Sequence, residues 1–161
     1  MRKLALWYAL ALLVVLLDQL TKYWISASFV YGETRAYSGF FNLVLTYNKG
    51  AAFSFLAGAA GWQRGFFIVI ALIAVVVISV LLARHAGEKL FCFALALILG
   101  GALGNALDRM LLGHVVDFLD FHVAGWHWPA FNLADSAITM GAILLVADSF
   151  RPRGRRAGAA R

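Results

Sequence analysis

Four long apolar segments, each about as long as a bilayer is thick, constrain this chain more than any other feature. They occupy 4–25, 62–83, 89–111 and 131–150. Crossing the hydrocarbon core takes about 20 apolar residues, and within lipid only helices and closed barrels satisfy every backbone donor and acceptor. None of the four alternates polar with apolar residues, so all four are predicted to be helices. The 161 residues are 63% hydrophobic and 14% charged, against about 25% charged in soluble domains. A water-soluble fold of this size could not hide so much apolar surface. The expectation is an all-α integral membrane protein with four transmembrane helices and a single domain over 1–150. The basic tail, 151–161, is expected to stay disordered near anionic headgroups.

Competing readings of the composition are weaker. Arg2 and Lys3 ahead of an apolar run, with Ser26 and Ser28 beyond it, resemble a cleavable secretory signal. Asp18, Gln19, Thr21 and Lys22 interrupt that pattern where the apolar core should lead directly to the cleavage site. The single cysteine, Cys92, excludes a disulfide framework and reads as a small packing residue. A net charge of +6 could suggest nucleic acid. The basic residues instead flank apolar runs or fall in the tail, so no nucleic-acid partner is expected.

Lysine and arginine set the orientation. Nine lie on one side (Arg2, Lys3, Arg84, Lys89 and the five of the tail), and five lie on the other (Lys22, Arg35, Lys49, Arg64 and Arg109). Both termini are therefore expected to be cytoplasmic, with 26–61 and 112–130 facing outward and 84–89 forming a tight inner turn. In the first outer loop, 40–47 reads as a strand followed by the turn Tyr47-Asn48-Lys49-Gly50. A small outward-facing β-sheet cradle is expected there, lying at the interface. Trp24, Trp62, Trp126 and Trp128 fall at predicted outer helix ends, as an aromatic belt requires.

Polar side chains appear where lipid should forbid them, and they share one depth. Asp18 and Lys22 lie one turn apart near the outer end of the first helix, spaced to pair. Asn105, Asp108 and Arg109 lie near the outer end of the third, and Asn132 and Asp135 open the fourth. Charges at such depths are costly and usually functional. Each also has a simpler reading: Asp18–Lys22 and Asp108–Arg109 as interfacial ion pairs, and Asn132 as a helix cap with Asp135 favoured at the third helical position.

Asp117 adds a carboxylate to the same layer, between the second outer loop's valines and phenylalanine. Loss of solvation should raise its pKa, while the helix N-terminus should hold Asp135 ionised. Two carboxyls pushed apart in this way suit acid/base hydrolysis, one taking a proton from water and the other donating to the carbonyl oxygen. Asp120 is a competing acid, expected to be solvated nearer the middle of the loop. His114, His122 and His127 could suggest zinc, but no H-E-x-x-H helix exists. No G-x-S-x-G elbow is present, and nothing distinguishes Ser26, Ser28 or Ser54 as a nucleophile. Gly100-Gly101-x-x-Gly104 lies mid-membrane, where glycine lets helices approach closely.

Several blocks together resemble the bacterial lipoprotein signal peptidase family (signal peptidase II). They are Leu17-Asp18-Gln19-Leu20-Thr21-Lys22, Tyr47-Asn48-Lys49-Gly50-Ala51-Ala52-Phe53, the block from Gly100 to Arg109 (GGALGNALDR), Gly113-His114-Val115-Val116-Asp117-Phe118, and Phe131-Asn132-Leu133-Ala134-Asp135-Ser136. The resemblance implies four transmembrane helices, an outward cradle and a catalytic dyad at Asp117 and Asp135. It implies a diacylglyceryl-modified prolipoprotein as substrate, cut just before its lipid-bearing cysteine in the bacterial inner membrane, on the outer side. It also implies substrate-binding roles at Asp18, Lys22, Asn48, Asn105, Arg109 and Asn132. The expected enzyme is a monomer among membrane lipids that needs no metal or organic cofactor. The segment 120–128 matches only loosely and carries no assigned role.

Two other classes compete with a protease. A small proton-coupled transporter would need acids nearer the midplane, a continuous polar path and usually repeated halves, and no internal repeat is evident. A non-catalytic membrane scaffold would tolerate alanine at both aspartates.

Overall fold

The computed structural model describes residues 2–50 and 62–150; the basic tail and Ser54 lie outside the described residues. The elements, in chain order, are α1 (Arg2–Ser28), β1 (Thr34–Ser38), β2 (Phe41–Asn48), α2 (Gln63–Arg84), α3 (Lys89–Leu111), β3 (Val115–Val123), β4 (Trp126–His127) and α4 (Leu133–Ser149). All four apolar segments are helical, with ends within three residues of those expected. Three of them, α1, α2 and α3, are long and apolar enough to cross a membrane.

Helix α3 is the centre of the bundle, packing against α1, α2 and α4. Its buried seam is built from small residues, and glycine makes the close approaches. A Cβ on Gly100 would come within 2.6 Å of the Ala11 carbonyl oxygen in α1, and one on Gly101 would collide with the Ala134 carbonyl in α4. Gly141 of α4 faces the Ala94 carbonyl in the same way, at 2.6 Å. Outside this seam the helices expose leucine, valine and isoleucine in quantity, Leu72, Ile73, Val76 and Ile143 among them, a surface suited to lipid and not to water. At one end Trp7 Nε1 donates to the Ala86 carbonyl at 3.3 Å, tying the start of α1 to the α2–α3 turn. Cys92 is buried beside that turn, its thiol 2.9 Å from the His85 carbonyl.

The sheet lies at the opposite end and is antiparallel in the order β1-β2-β3-β4. It was expected within the first outer loop alone; half of it comes from the second. The segment 115–123 conceals a strand because both of its faces are mixed, with Asp117 and Leu119 on one side and Val116, Phe118 and Asp120 on the other. Val116 and Phe118 pack with Ile25 of α1, with Phe29 just beyond its end, and with Leu43 and Leu45 of β2. Strand alternation then sends Asp117 to the other face. A two-residue turn, Ala124-Gly125, joins β3 to β4 with φ of 50° and 80°, the twist a tight hairpin needs. Trp126 and Trp128 therefore belong to the hairpin and its exit and not to helix ends, while Trp24 lies in the last two turns of α1 and Trp62 caps the start of α2.

Asp120 is not solvated. It is buried, accepts from Asn42 Nδ2 at 2.8 Å, and lies 2.9 Å from His127 Nδ1. Burial pushes its carboxyl up, but the Asn42 and His127 hydrogen bonds more than offset this and hold it below the ordinary carboxylate range. It secures the hairpin.

Candidate active site

The structure brings together the acids and amides that the sequence scatters over 118 positions, from Asp18 to Asp135. Asn132 is the local organiser. As N-cap of α4 it accepts from the Asp135 backbone N–H at 2.9 Å, and Asp135 Oδ2 accepts in return from the Asn132 N–H at 3.3 Å. This capping box leaves Asn132 Nδ2 free to reach across to Asp117 Oδ1 at 2.7 Å. One asparagine thus touches both carboxylates. The helix-cap reading of Asn132 and the site reading describe the same geometry.

The remaining lone pairs of the two acids are met by other asparagines. Asn48 Nδ2 donates to Asp117 Oδ2 at 3.1 Å, while its Oδ1 accepts from the Gly50 N–H at 2.9 Å. The turn expected at Tyr47–Gly50 starts later than the sequence implies: Tyr47 and Asn48 still belong to β2, and the chain bends at Lys49 and Gly50, where the Gly50 N–H holds this side chain. Asn105 Nδ2 donates to Asp135 Oδ1 at 2.8 Å. Asp117 is 2% exposed, and burial, followed by the nearby charge of Asp135, pushes its pKa up to about 7. The rise agrees with the sequence expectation, but the flanking valines are not its whole cause: Val116 points to the opposite face.

A cleft of about 380 Å³ opens onto this group. Asn48, Asn105, Arg109 and Asp135 form its polar floor, and Trp128 to Phe131 form one wall. Met140 and Ile143 extend it down the exposed flank of α4. Arg109 spans its edge. Nη2 donates to the Gly50 carbonyl at 2.6 Å, Nη1 donates to the Asn105 carbonyl at 3.2 Å, and the guanidinium lies 4.8 Å from the Phe67 ring centroid. Its Nε is buried without a partner among the described residues.

Asp18, Lys22 and Asn132 lie behind this floor and are at most 3% exposed. Lys22 Nζ pairs with Asp18 Oδ2 at 2.8 Å, as the one-turn spacing predicted, and also with Asp108 Oδ2 at 3.0 Å. Asp108 does not pair with Arg109. Adjacent helical residues point about 100° apart, and Asp108 instead shares the Asn105 face of α3 at i+3. Gln19, given no role from sequence, bridges Asp18 and Asp108 at 3.2 and 2.9 Å. The histidines do not converge. His114 packs on Tyr47 with centroids 4.2 Å apart, and His122 stacks on His127 at 4.9 Å.

Known proteins share this chain's sequence and shape. A family model described as signal peptidase (SPase) II matches residues 10–151. The lipoprotein signal peptidase of Janthinobacterium sp. (strain Marseille) is 60% identical over 149 residues, covering 92% of this chain and 90% of that protein. That of Ralstonia nicotianae is 63% identical over 145 residues, covering 90% and 84%. A bacterial membrane enzyme structure obtained by the in meso method at 1.9 Å resolution matches with a TM-score of 0.80 and 34% identity, over 91% of this chain and 94% of that one. The family model spans most of the chain, and on that basis this chain belongs to the signal peptidase II family.

Proposed function

We propose that this protein is an aspartic endopeptidase that removes the signal peptide from diacylglyceryl-modified prolipoproteins, cutting just before the lipidated cysteine. The observation that carries this reading is the Asn132 bridge. Two carboxyls from separate elements, β3 and α4, are held by one asparagine, Asp117 through its side-chain amide and Asp135 through its backbone N–H, and Asp135 lines a cleft whose flank is apolar. A substrate already confined to the outer leaflet by two acyl chains can enter along Met140 and Ile143 without leaving lipid.

In the proposed reaction Asp135 is the base. It lies at a helix N-terminus, where negative charge is favoured, and both its oxygens accept hydrogen bonds. It takes a proton from water as the water oxygen attacks the scissile carbonyl carbon. Asp117, holding the proton that burial favours, gives it to the carbonyl oxygen. On collapse the C–N bond breaks, the amine leaves with the proton that Asp135 received, and the diol hydroxyl returns its proton to Asp117 as the C–O double bond re-forms, which restores the pair. No metal or organic cofactor is required. Asn48, Asn105 and Arg109 line the cleft and would meet the substrate directly; Asp18, Lys22 and Asn132 would act from behind it.

The proposed setting is the bacterial inner membrane, with four spans, both termini cytoplasmic, the site on the outer side and a monomer as the working unit. Helix α4, with 17 residues, is about 26 Å long at the helical rise and would be the fourth span. A proton-coupled transporter finds less support. Asp18, Lys22, Asn105, Asp108, Asp117 and Asn132 gather at one end of the bundle, and the buried Asp148 near the end of α4 lies far from them along the helix.

Purified protein in lipid, given a diacylglyceryl-modified precursor and its unlipidated counterpart, tests the reading. Cleavage of the first alone is expected. Cleavage of neither, or proton flux through empty proteoliposomes, would contradict it.

A further inference from the structure

The buried ions Asp18, Lys22 and Asp108 form a layer beneath the cleft, and their outward hydrogen bonds end on the backbone just before each acid of the pair. Asp108 Oδ2 accepts from the N–H of Val116, which precedes Asp117, at 3.1 Å. Asp18 Oδ1 accepts from the N–H of Ala134, which precedes Asp135, at 2.9 Å. The two gripping carboxylates are joined to each other through Lys22 Nζ and through Gln19 Nε2. Lys22 makes one more contact, 3.0 Å to Asn105 Oδ1. An ammonium can only donate, so Asn105 must turn its Nδ2 toward Asp135.

Stability alone gives little reason to bury these charges, because a well-packed apolar replacement for a buried ion triad is often neutral or better. Geometry gives a stronger one. Strand β3 and helix α4 arrive from different parts of the chain, and hydrolysis by two acids demands their oxygens within about half an ångström of the productive arrangement. The gripping contacts are also closely fitted: a Cβ on Gly104 would lie 2.5 Å from Asp18 Oδ2.

We propose that the Lys22-centred cluster fixes the separation of Asp117 and Asp135, with Asp18, Gln19 and Asp108 as positioning residues that do not touch substrate. This rests on the reading of Asp117 and Asp135 as the reacting acids. Asp108 and Gln19 acquire a role that their sequence positions alone did not suggest.

The test uses the full chain in lipid with a diacylglyceryl-modified precursor. Asp108→Asn keeps an oxygen to accept from Val116, Asp108→Leu removes it, and Gln19→Met loosens both carboxylates while leaving each paired with Lys22. Asp108→Leu and Gln19→Met are expected to lower kcat by roughly ten- to a hundredfold with KM within about threefold of wild type. They should also bring the acid and alkaline limbs of the kcat/KM pH profile closer together, because acids held less firmly against each other titrate less interdependently. Asp108→Asn should keep the wild-type limb spacing. The proposal is overturned by wild-type kcat and limb spacing in inserted Asp108→Leu or Gln19→Met. It is equally overturned by losses that only follow the amount of folded protein, by failure of both variants to fold, or by Asp108→Asn as impaired as Asp108→Leu. Activity in Asp117→Asn or Asp135→Asn would instead remove the reading of the site itself.

Discussion

Asn132 donates from Nδ2 to Asp117 Oδ1 over 2.7 Å, a shorter bond than those from Asn48 to Asp117 and from Asn105 and the Asn132 N–H to Asp135. The same residue caps α4 and so fixes Asp135. Asn132→Ala should therefore cost about 1 kcal/mol as a lost cap and far more in catalysis, about a hundredfold or greater in kcat. Thermal unfolding and cleavage kinetics on one preparation separate the two effects. Equal proportional losses in both would mean the bridge is only a cap.

The raised pKa of Asp117 makes a signed prediction. In the folded protein its carboxyl titrates at about 7, against an ordinary 3.8. Between those values the folded chain holds a proton that the unfolded chain has released. The associated stability is complete below about pH 4 and is lost as pH rises through about 7. Asp117→Asn should flatten that part of the stability profile, measured by denaturation from pH 4 to 8. Activity should fall on the alkaline side of about pH 7, as the pair loses its shared proton.

Arg109 holds the Gly50 and Asn105 carbonyls with a planar fork and lies against Phe67. Lysine cannot reproduce that geometry. Arg109→Lys should lower kcat/KM by roughly tenfold, chiefly through KM, with membrane insertion unchanged. A variant that fails to insert would show that the arginine serves the fold first.

Helix contacts at glycine give a stability test with an internal control. Gly141→Ala would bring a methyl within 2.6 Å of the Ala94 carbonyl, and Gly104→Ala would press on Asp18, whereas Gly39→Ala meets nothing within 4 Å. Overpacking of this kind costs about 1–3 kcal/mol. The first two should unfold at lower temperature in detergent and the third should not.

The helices were legible because apolar length is a strong signal, and Asp18–Lys22 because one helical turn is a fixed distance. The cap at Asn132 was legible for a similarly local reason, whereas the turn placed at Tyr47–Gly50 proved to be a bend that follows the end of β2 at Asn48. The partner of Asp108 was not legible, since the choice between Arg109 and Lys22 depends on how α1 packs against α3. Gln19 was missed for the same reason. Asp120 was misread because the polar residues of 115–123 fall on both faces of the strand, so the period-2 pattern that would have announced it is absent. Half of the sheet went unseen with it, including the reason Asp117 faces Asn132.

Replacement of each acid singly tests the central claim most directly. Asp117→Asn and Asp135→Asn, each recovered from the membrane in normal amounts, are predicted to leave a diacylglyceryl-modified precursor uncut at times when the wild-type protein has processed all of it. Wild-type turnover in either one would contradict the account.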